Sequence, residues 1–400
     1  MGKPPGGHGS PSWSPNGKRI VFDVNDWASS TIWTISVDGT DLKRISPENI
    51  GASDAVYGPD ARSVFIIANT GLSLERIDLS EGGDPVGEPI KVFDASGTRV
   101  RQLSIAAKGN RIVYAALATN SNIWESPIAA NGVTGQPIQL TQNAYARTVG
   151  PTFSPDGKKI AFQSYTTGNN AYIWTMDTDG KNQVQLTTGE GLNPTWFPDG
   201  KTIAYSARAR DNRPGFWSAT IDGGMEKRLF DYADDNLIAR LSPDGKKVAV
   251  NSKKSGTVNV WIFPIEGGEP KQLTFDNELA GFPAWSPDGK WIALELKRGG
   301  DTHIAIMPSE GGELIQLTNE SGQSWCHDWS PDSDKVIFAG LRDGLWNIYS
   351  VSRTRKKVKQ LTNFTKLNSY VRYPAWSPLN DKIAYEYAET TGNIWMIELK

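Results

Sequence analysis

Short apolar runs alternating with polar residues recur in groups of four along this chain. In residues 148–187, Val149-Gly-Pro-Thr-Phe153 is followed by Lys159-Ile-Ala-Phe162, by Ala171-Tyr-Ile-Trp-Thr-Met176 and by Gln183-Val-Gln-Leu186. Each run has strand length, a period near two and a share of β-branched or aromatic residues. Between them stand Ser154-Pro155-Asp156-Gly157, a polar loop and Asp179-Gly180. Proline fixes φ and glycine supplies positive φ, so these stretches turn the chain sharply at set points. The pattern predicts a meander of four antiparallel strands. Helix-period stripes are missing throughout.

The unit repeats. Clear copies of the first turn are Ser154-Pro-Asp-Gly157, Ser242-Pro-Asp-Gly245 and Ser286-Pro-Asp-Gly289, with nearer or weaker relatives at Ser14, Phe197, Ser330, Gly58, Ala107 and Ser377. From Pro15 to Pro378, eight intervals give a period of about 45, in the range of four-stranded propeller blades. Third strands carry Ile-Trp or a relative at 32–33, 123–124, 216–217, 260–261 and 394–395, and fourth strands close on Gln-Leu-Thr at 139–141, 185–187, 272–274, 316–318 and 360–362. Nine copies begin near residues 10, 53, 101, 148, 192, 237, 281, 325 and 372.

A small sheet with two apolar faces is not stable alone, so the copies must stack, and closing the stack removes its orphan ends. The expected fold is all-β: a single closed propeller of four-stranded antiparallel blades spanning 10–400, with nine blades. Eight is the alternative, with the second copy (Asp54–Phe93) or the third as an insertion. Trp13, Trp196, Trp285 and Trp376 hold one repeat position and are expected between blades. The ninth copy stops after Trp395-Met-Ile-Glu-Leu399 and lacks its own outer strand. A three-stranded last blade or a weak addition from the N-terminus is expected. Residues 1–9, rich in Pro and Gly, read as a linker.

Composition narrows the class. The 400 residues are 38% hydrophobic, enough for a packed core. The net charge of −2 provides no basic field for nucleic acid. The single cysteine excludes an internal disulfide and a Cys-based zinc site. No apolar run of membrane-spanning length exists, and the start, Met1-Gly-Lys-Pro-Pro-Gly-Gly7, is not a signal peptide.

The string Pro-x-Trp-Ser-Pro-Asp-Gly-Lys-x-Ile-Ala, then Ile-Trp-x-Met, Asp-Gly and Gln-Leu-Thr, resembles the TolB-type, WD40-like propeller family over essentially the whole chain. The resemblance implies a bacterial β-propeller in an extracytoplasmic setting whose mouth binds a protein or peptide. Such repeats also occur behind kinase or DNA-binding modules and in peptidases, and none of those companions is present here.

A search for chemistry gives little. The Gly-x-Ser-x-Gly pentapeptide of a serine nucleophile does not occur. The expectation is therefore that the protein is not an enzyme and needs no cofactor or metal. His8 falls in the linker, and His303 is expected to cap an outer loop. Cys326, His327 and Asp328 are consecutive, so strand alternation keeps them from converging on one ion. Asp177-Thr-Asp-Gly-Lys-Asn182 resembles half a calcium loop, but Thr188 stands where the closing glutamate belongs. The basic run Arg353–Lys359 precedes an outermost strand and reads as a solvated edge.

What differs between copies is the loop from each fourth strand to the next first strand, together with a few inner-strand positions. The candidate binding residues are Asp54, Arg101, Arg147, Asn193, Arg240, Asp276, Trp325, His327, Asp328 and Arg372. Arg240 and Asp328 replace the small residue that usually precedes the repeat tryptophan, so they are expected to face the channel, where charge can be solvated. The favoured reading is a protein- or peptide-binding scaffold, a monomeric ring within a larger sensor or envelope protein. The alternative is a small-ligand or carbohydrate-processing site built on Arg240, His327 and Asp328.

Overall fold

The structure, a computed structural model, describes residues 7–25, 30–47, 50–95, 98–107, 110–129, 134–143, 147–165, 170–207, 214–224, 226–231 and 238–398. The chain divides into two compact units, Met1–Thr119 with Thr390–Lys400, and Asn120–Glu389.

In the first unit, β1 (Gly7–Trp13), β2 (Arg19–Asn25), β3 (Ser30–Ser36) and β4 (Lys43–Arg44) form one antiparallel sheet, and β5 (Ala52–Tyr57), β6 (Ser63–Ala68), β7 (Ser73–Leu79) and β8 (Pro85–Asp94) form the next. A third sheet joins β9 (Arg99–Ile105), the 111–119 part of β10 (Arg111–Pro127) and the 390–398 end of the chain's last strand. Val21, Ile32 and Ile45 of the first sheet pack on Tyr57, Val64, Ile66 and Ile77 of the second. Phe65, Ile67 and Leu74 pack in turn on Val100, Ile112 and Tyr114 of the third. Strand β1 starts at Gly7 and pairs His8 with Val24, inside the stretch expected to be linker.

In the second unit the remaining copies follow in order. The first sheet is β11-independent and runs β12 (Thr148–Phe153), β13 (Lys159–Tyr165), β14 (Ala171–Asp177), β15 (Val184–Gln185), where β11 is the short strand Ile138–Gln139. Next come β16 (Leu192–Trp196), β17 (Thr202–Ala207), β18 (Gly215–Thr220), β19 (Lys227–Asp231), and then β20 (Ala239–Leu241), β21 (Lys247–Ser252), β22 (Asn259–Pro264), β23 (Lys271–Gln272). They are followed by β24 (Ala280–Trp285), β25 (Trp291–Arg298), β26 (Asp301–Pro308), β27 (Ile315–Gln316), and by β28 (Gln323–Trp329), β29 (Lys335–Arg342), β30 (Leu345–Ser352), β31 (Val358–Gln360). The sixth sheet is composite: β32 (Ser369–Trp376), the first half of β33 (Lys382–Glu398), the 120–127 part of β10, and β11.

The inner strands β12, β16, β20, β24, β28 and β32 touch one another in that order, and β32 touches β12. Six copies therefore close into a cycle. At the seam, Ile123, Leu140, Ala375 and Ala384 pack on Phe153, Ile160, Phe162 and Met176, while Val371, Trp376, Ile383 and Tyr385 pack on Ile337, Ala339 and Ile348 of the preceding blade. The expected single ring of nine, and its alternative of eight, are both corrected to a cycle of six.

The reason lies in copies three and nine, which have exchanged halves. Elsewhere the second and third strands of a copy meet at a hairpin. Here each pair runs on as one strand of 17 residues, β10 and β33. The outer strands of the ninth copy come from residues 120–139, not from the N-terminus. Gln-Leu-Thr also finds its explanation. Thr187 Oγ1 accepts the N–H of Ile173 at 3.1 Å, and Gln185 Nε2 donates to the Thr187 carbonyl at 2.8 Å. The same pair recurs at Thr141, Thr274, Thr318 and Thr362. In the turn, Ser154 Oγ accepts the Lys159 N–H at 2.9 Å and donates to Asp156 at 2.7 Å, which lowers the aspartate's pKa.

Candidate functional site

Inner strands carry a shared irregularity. Between Val149 and Thr152, Leu192 and Thr195, Gly281 and Ala284, and Arg372 and Ala375, the register slips, and the residue inside the slip has positive φ: Gly150 (64°), Asn193 (52°), Phe282 (55°) and Tyr373 (52°). A bulge of this kind bends the strand and re-aims side chains. It is held from the preceding blade: Gln163 Oε1 accepts the Asn193 N–H at 2.7 Å, and Asn251 Oδ1 accepts the Phe282 N–H at 2.6 Å.

Glu386 occupies the matching position of the last blade and is fully buried. Arg147 meets it with two bonds, Nε to Oε1 at 2.9 Å and Nη2 to Oε2 at 3.2 Å. Ser121 Oγ donates to Oε1 at 2.6 Å, and the Tyr370 hydroxyl donates to the same oxygen at 3.3 Å. Burial works against the Arg147 charge, but the facing carboxylate outweighs it and raises the guanidinium's pKa. Burial, reinforced by Glu386, pushes the Tyr370 hydroxyl up to about 12.

Beside this pair, the Arg372 guanidinium carbon lies 4.8 Å from the Trp325 ring centre and 4.6 Å from that of Tyr370. Trp325 stacks at a tilt on Trp346, with centroids 4.4 Å apart. Arg372 Nε is buried and has no hydrogen-bond acceptor among the described residues. Of the sequence candidates, Arg147, Trp325 and Arg372 thus belong to this one cluster, together with Tyr370.

The others are dispersed. Asp54 and Arg101 lie in the first unit, 3.5 Å apart, with Arg101 also donating to Ser53 Oγ at 3.1 Å. Asn193 occupies its bulge. Asp276 is clamped by Arg298 through bonds of 2.9 and 2.7 Å and accepts the Glu278 N–H, so its pKa is lowered despite burial. Asp328 accepts its neighbour's N–H from Trp329 at 2.8 Å and the N–H of Trp376, one blade on, at 2.8 Å. Burial pushes its pKa up to about 6, against these bonds and the favourable charge of Arg240. Asp328 is therefore a bridge between two blades. The side chains of Cys326 and His327 lie outside the described ones. His303 does not cap a loop: it is buried within β26.

Sequence reasoning missed Glu386 and Trp346. The signal for Glu386 was present, a carboxylate inside the apolar run Ala384-Tyr385-Glu386, at the repeat position of Gln163 and Asn251. Among the described residues no group of three or more His, Cys, Asp or Glu could hold a metal ion, and no helix is long and apolar enough to cross a membrane.

Cyclic packing of four-stranded blades around inner strands defines a β-propeller. The family model described as TolB beta propeller domain matches residues 84–278 and 229–400, and the chain belongs to that family. Its fold is similar to TolB from Acinetobacter baumannii, with a TM-score of 0.55 and 20% identity over 81% of this chain and 82% of that one. It is also similar to the Agrobacterium tumefaciens protein assigned as a TolB, with a TM-score of 0.56 and 20% identity over 68% of this chain and 99% of the other. A curated relative, the uncharacterized peptidase YuxL of Bacillus subtilis, is 29% identical over 159 residues, 39% of this chain and 22% of the relative. The chain thus spans about a fifth of that relative's length. This match corrects the expectation of a non-enzyme: repeats of this kind stand within a protein named as a peptidase, so a missing nucleophile motif does not exclude the chain from enzyme families.

Proposed function

We propose that the six-blade cycle is a recognition module that holds an extended protein or peptide segment through a carboxylate docked on Arg372. The observation that carries this reading is the Arg372 guanidinium, seated over the rings of both Trp325 and Tyr370, with a buried Nε that has no acceptor among the described residues. Contact with two aromatic rings holds a guanidinium in place and leaves its edge to bind a carboxylate. Arg147 is neutralised by Glu386, so Arg372 supplies the charge of the cluster. Enrichment in Trp, Tyr and Arg is the composition of protein-binding hot spots. In the wider protein the ring acts as a module of a bacterial sensor or envelope protein, in the extracytoplasmic setting that the family resemblance implies.

Fluorescence anisotropy with labelled hexaglutamate and hexalysine peptides tests this. Hexaglutamate is expected to bind and hexalysine not. Arg372→Ala is expected to weaken hexaglutamate at least tenfold. Equal affinity of the variant and the original protein would remove Arg372 as the docking group.

A further inference from the structure

The first unit contains three sheets, and the two at its ends each carry an exposed apolar face of a kind that is covered throughout the cycle. Its first face belongs to the β1 sheet. Trp13 is 62% exposed there, whereas its repeat counterparts Trp196, Trp285, Trp329 and Trp376 are 2–9% exposed. In the cycle those indoles lie against the preceding blade. The N–H groups of Trp196, Trp285 and Trp329 donate to the carbonyls of Thr152, Arg240 and Ala284 at 3.0, 3.1 and 3.0 Å. Among the described residues of the first unit, no blade precedes the one that carries Trp13.

The second face belongs to the 390–398 end of β33. Ile394 is 72% exposed and Met396 54%. Their counterparts in the cycle, Ile173 and Thr175, are 0% and 6% exposed, and Ile173 packs on the following blade. Ile397, on the opposite side of the same strand, packs inward on the second sheet's cluster. The side carrying Ile394 and Met396 is thus the one that a following blade covers.

The two open faces are complementary in kind, because any two consecutive blades of the second unit join the same two surfaces. Six such blades complete a turn there, so three account for half a turn. The inner strands β1, β5 and β9 line a groove of about 630 Å³, bordered by Trp13, Tyr57 and Ile105.

We propose that the first unit is an interaction surface for a second copy of this chain: two three-blade arcs associate head to tail, Trp13 of each against Ile394 and Met396 of the other, and complete a six-blade ring with two-fold symmetry. A head-to-tail contact closes when its rotation divides the circle, and half a turn per chain closes at two copies. Two equal junctions then bury both apolar faces, and exposed apolar patches of this kind mark protein interfaces. The repeat geometry places the carbonyl of Ser104, the counterpart of Thr152, opposite the partner's Trp13 indole. The proposal does not depend on the peptide-binding reading and replaces the monomeric ring expected from sequence.

Sedimentation equilibrium of the full chain over a range of concentrations is the test. The expected mass is twice the 43.8 kDa of one chain. Trp13→Glu and Ile394→Glu each are expected to weaken the dimer at least tenfold. Both residues are exposed, so folding is kept, which far-UV circular dichroism checks. Mixing the two variants in equal amounts is expected to restore part of the association, since the mixed pair keeps one intact junction. A single-chain mass at every concentration overturns the proposal, whether or not the variants fold. Masses that grow beyond two chains overturn the closure. A dimer sensitive to Ile394→Glu but not to Trp13→Glu overturns the head-to-tail contact in favour of edge-to-edge strand pairing.

Discussion

Arg147 and Glu386 are 239 residues apart in sequence and 2.9 Å apart in space. The arginine precedes the first inner strand of the cycle and the glutamate lies in its last blade, so the pair spans the seam where the ring closes. Removing one partner of a buried pair strands the other's charge, at a cost of about 3–5 kcal/mol. Arg147→Ala is expected to lower unfolding free energy by about that amount, and adding Glu386→Gln is expected to recover part of it. Urea denaturation of the single and double variants reads this coupling, and strict additivity would show that the seam does not rest on the pair.

Asp328 supplies a pH dependence. Its folded pKa is raised to about 6 by burial, while the unfolded chain holds an ordinary aspartate near 3.9. Between those values the folded state binds the proton and the unfolded state does not. The group's stabilising contribution is therefore complete below the unfolded value and is lost as pH rises through about 6. The stability of the original protein relative to Asp328→Asn is expected to rise as pH falls from 7 to 5. Parallel pH profiles for the two proteins would contradict this.

Each Gln-Leu-Thr threonine supplies the acceptor for one buried amide. Thr318 Oγ1 receives the Ile304 N–H at 2.9 Å in a fully buried site. Thr318→Val keeps the shape and leaves that amide without a partner, with an expected cost of about 1–3 kcal/mol. Thr318→Ser keeps the hydroxyl and is expected to cost less. Equal losses in thermal or urea unfolding would locate the motif's role in packing alone.

Gly392 lies where β33 runs close beside β10. A Cβ built there comes 2.5 Å from Leu117 Cδ2 and 3.1 Å from the Ala116 carbonyl oxygen. Gly392→Val is expected to displace the 390–398 strand and raise amide exchange in residues 111–117. Unchanged exchange there would show that the two strands do not run together at this point.

The repeat, the strand boundaries and the turns were legible because each is encoded locally: Pro and Gly at fixed offsets, apolar residues at a period near two, and threonine hydroxyls at strand ends. The division of the nine copies was not. A hairpin and a continuous strand bury the same apolar residues, and only the connecting segment distinguishes them. Copies seven and eight turn at Gly299-Gly300 and Asp343-Gly344, whereas copy three has Ala118-Thr-Asn-Ser121 and copy nine has Glu389-Thr-Thr-Gly392. Neither of these places an Asp-Gly or Gly-Gly pair at the turn, and threonine favours extended backbone. The cluster was half legible for a similar reason. Arg147, Trp325 and Arg372 were found by standing out from the repeat, while Glu386 was hidden in a strand that otherwise reads as core.

The strand exchange itself is open to one direct measurement. Thr119 and Thr390 carry hydroxyls 3.1 Å apart, although they belong to the third and ninth copies. With Cys326 replaced by serine, Thr119→Cys and Thr390→Cys are introduced together and the protein is oxidised mildly. Peptide mass spectrometry after digestion is expected to find one intramolecular disulfide joining the two positions in most molecules. Two free thiols under the same conditions would mean that copies three and nine each keep their own hairpin, and the six-blade cycle closed by residues 120–139 would be wrong.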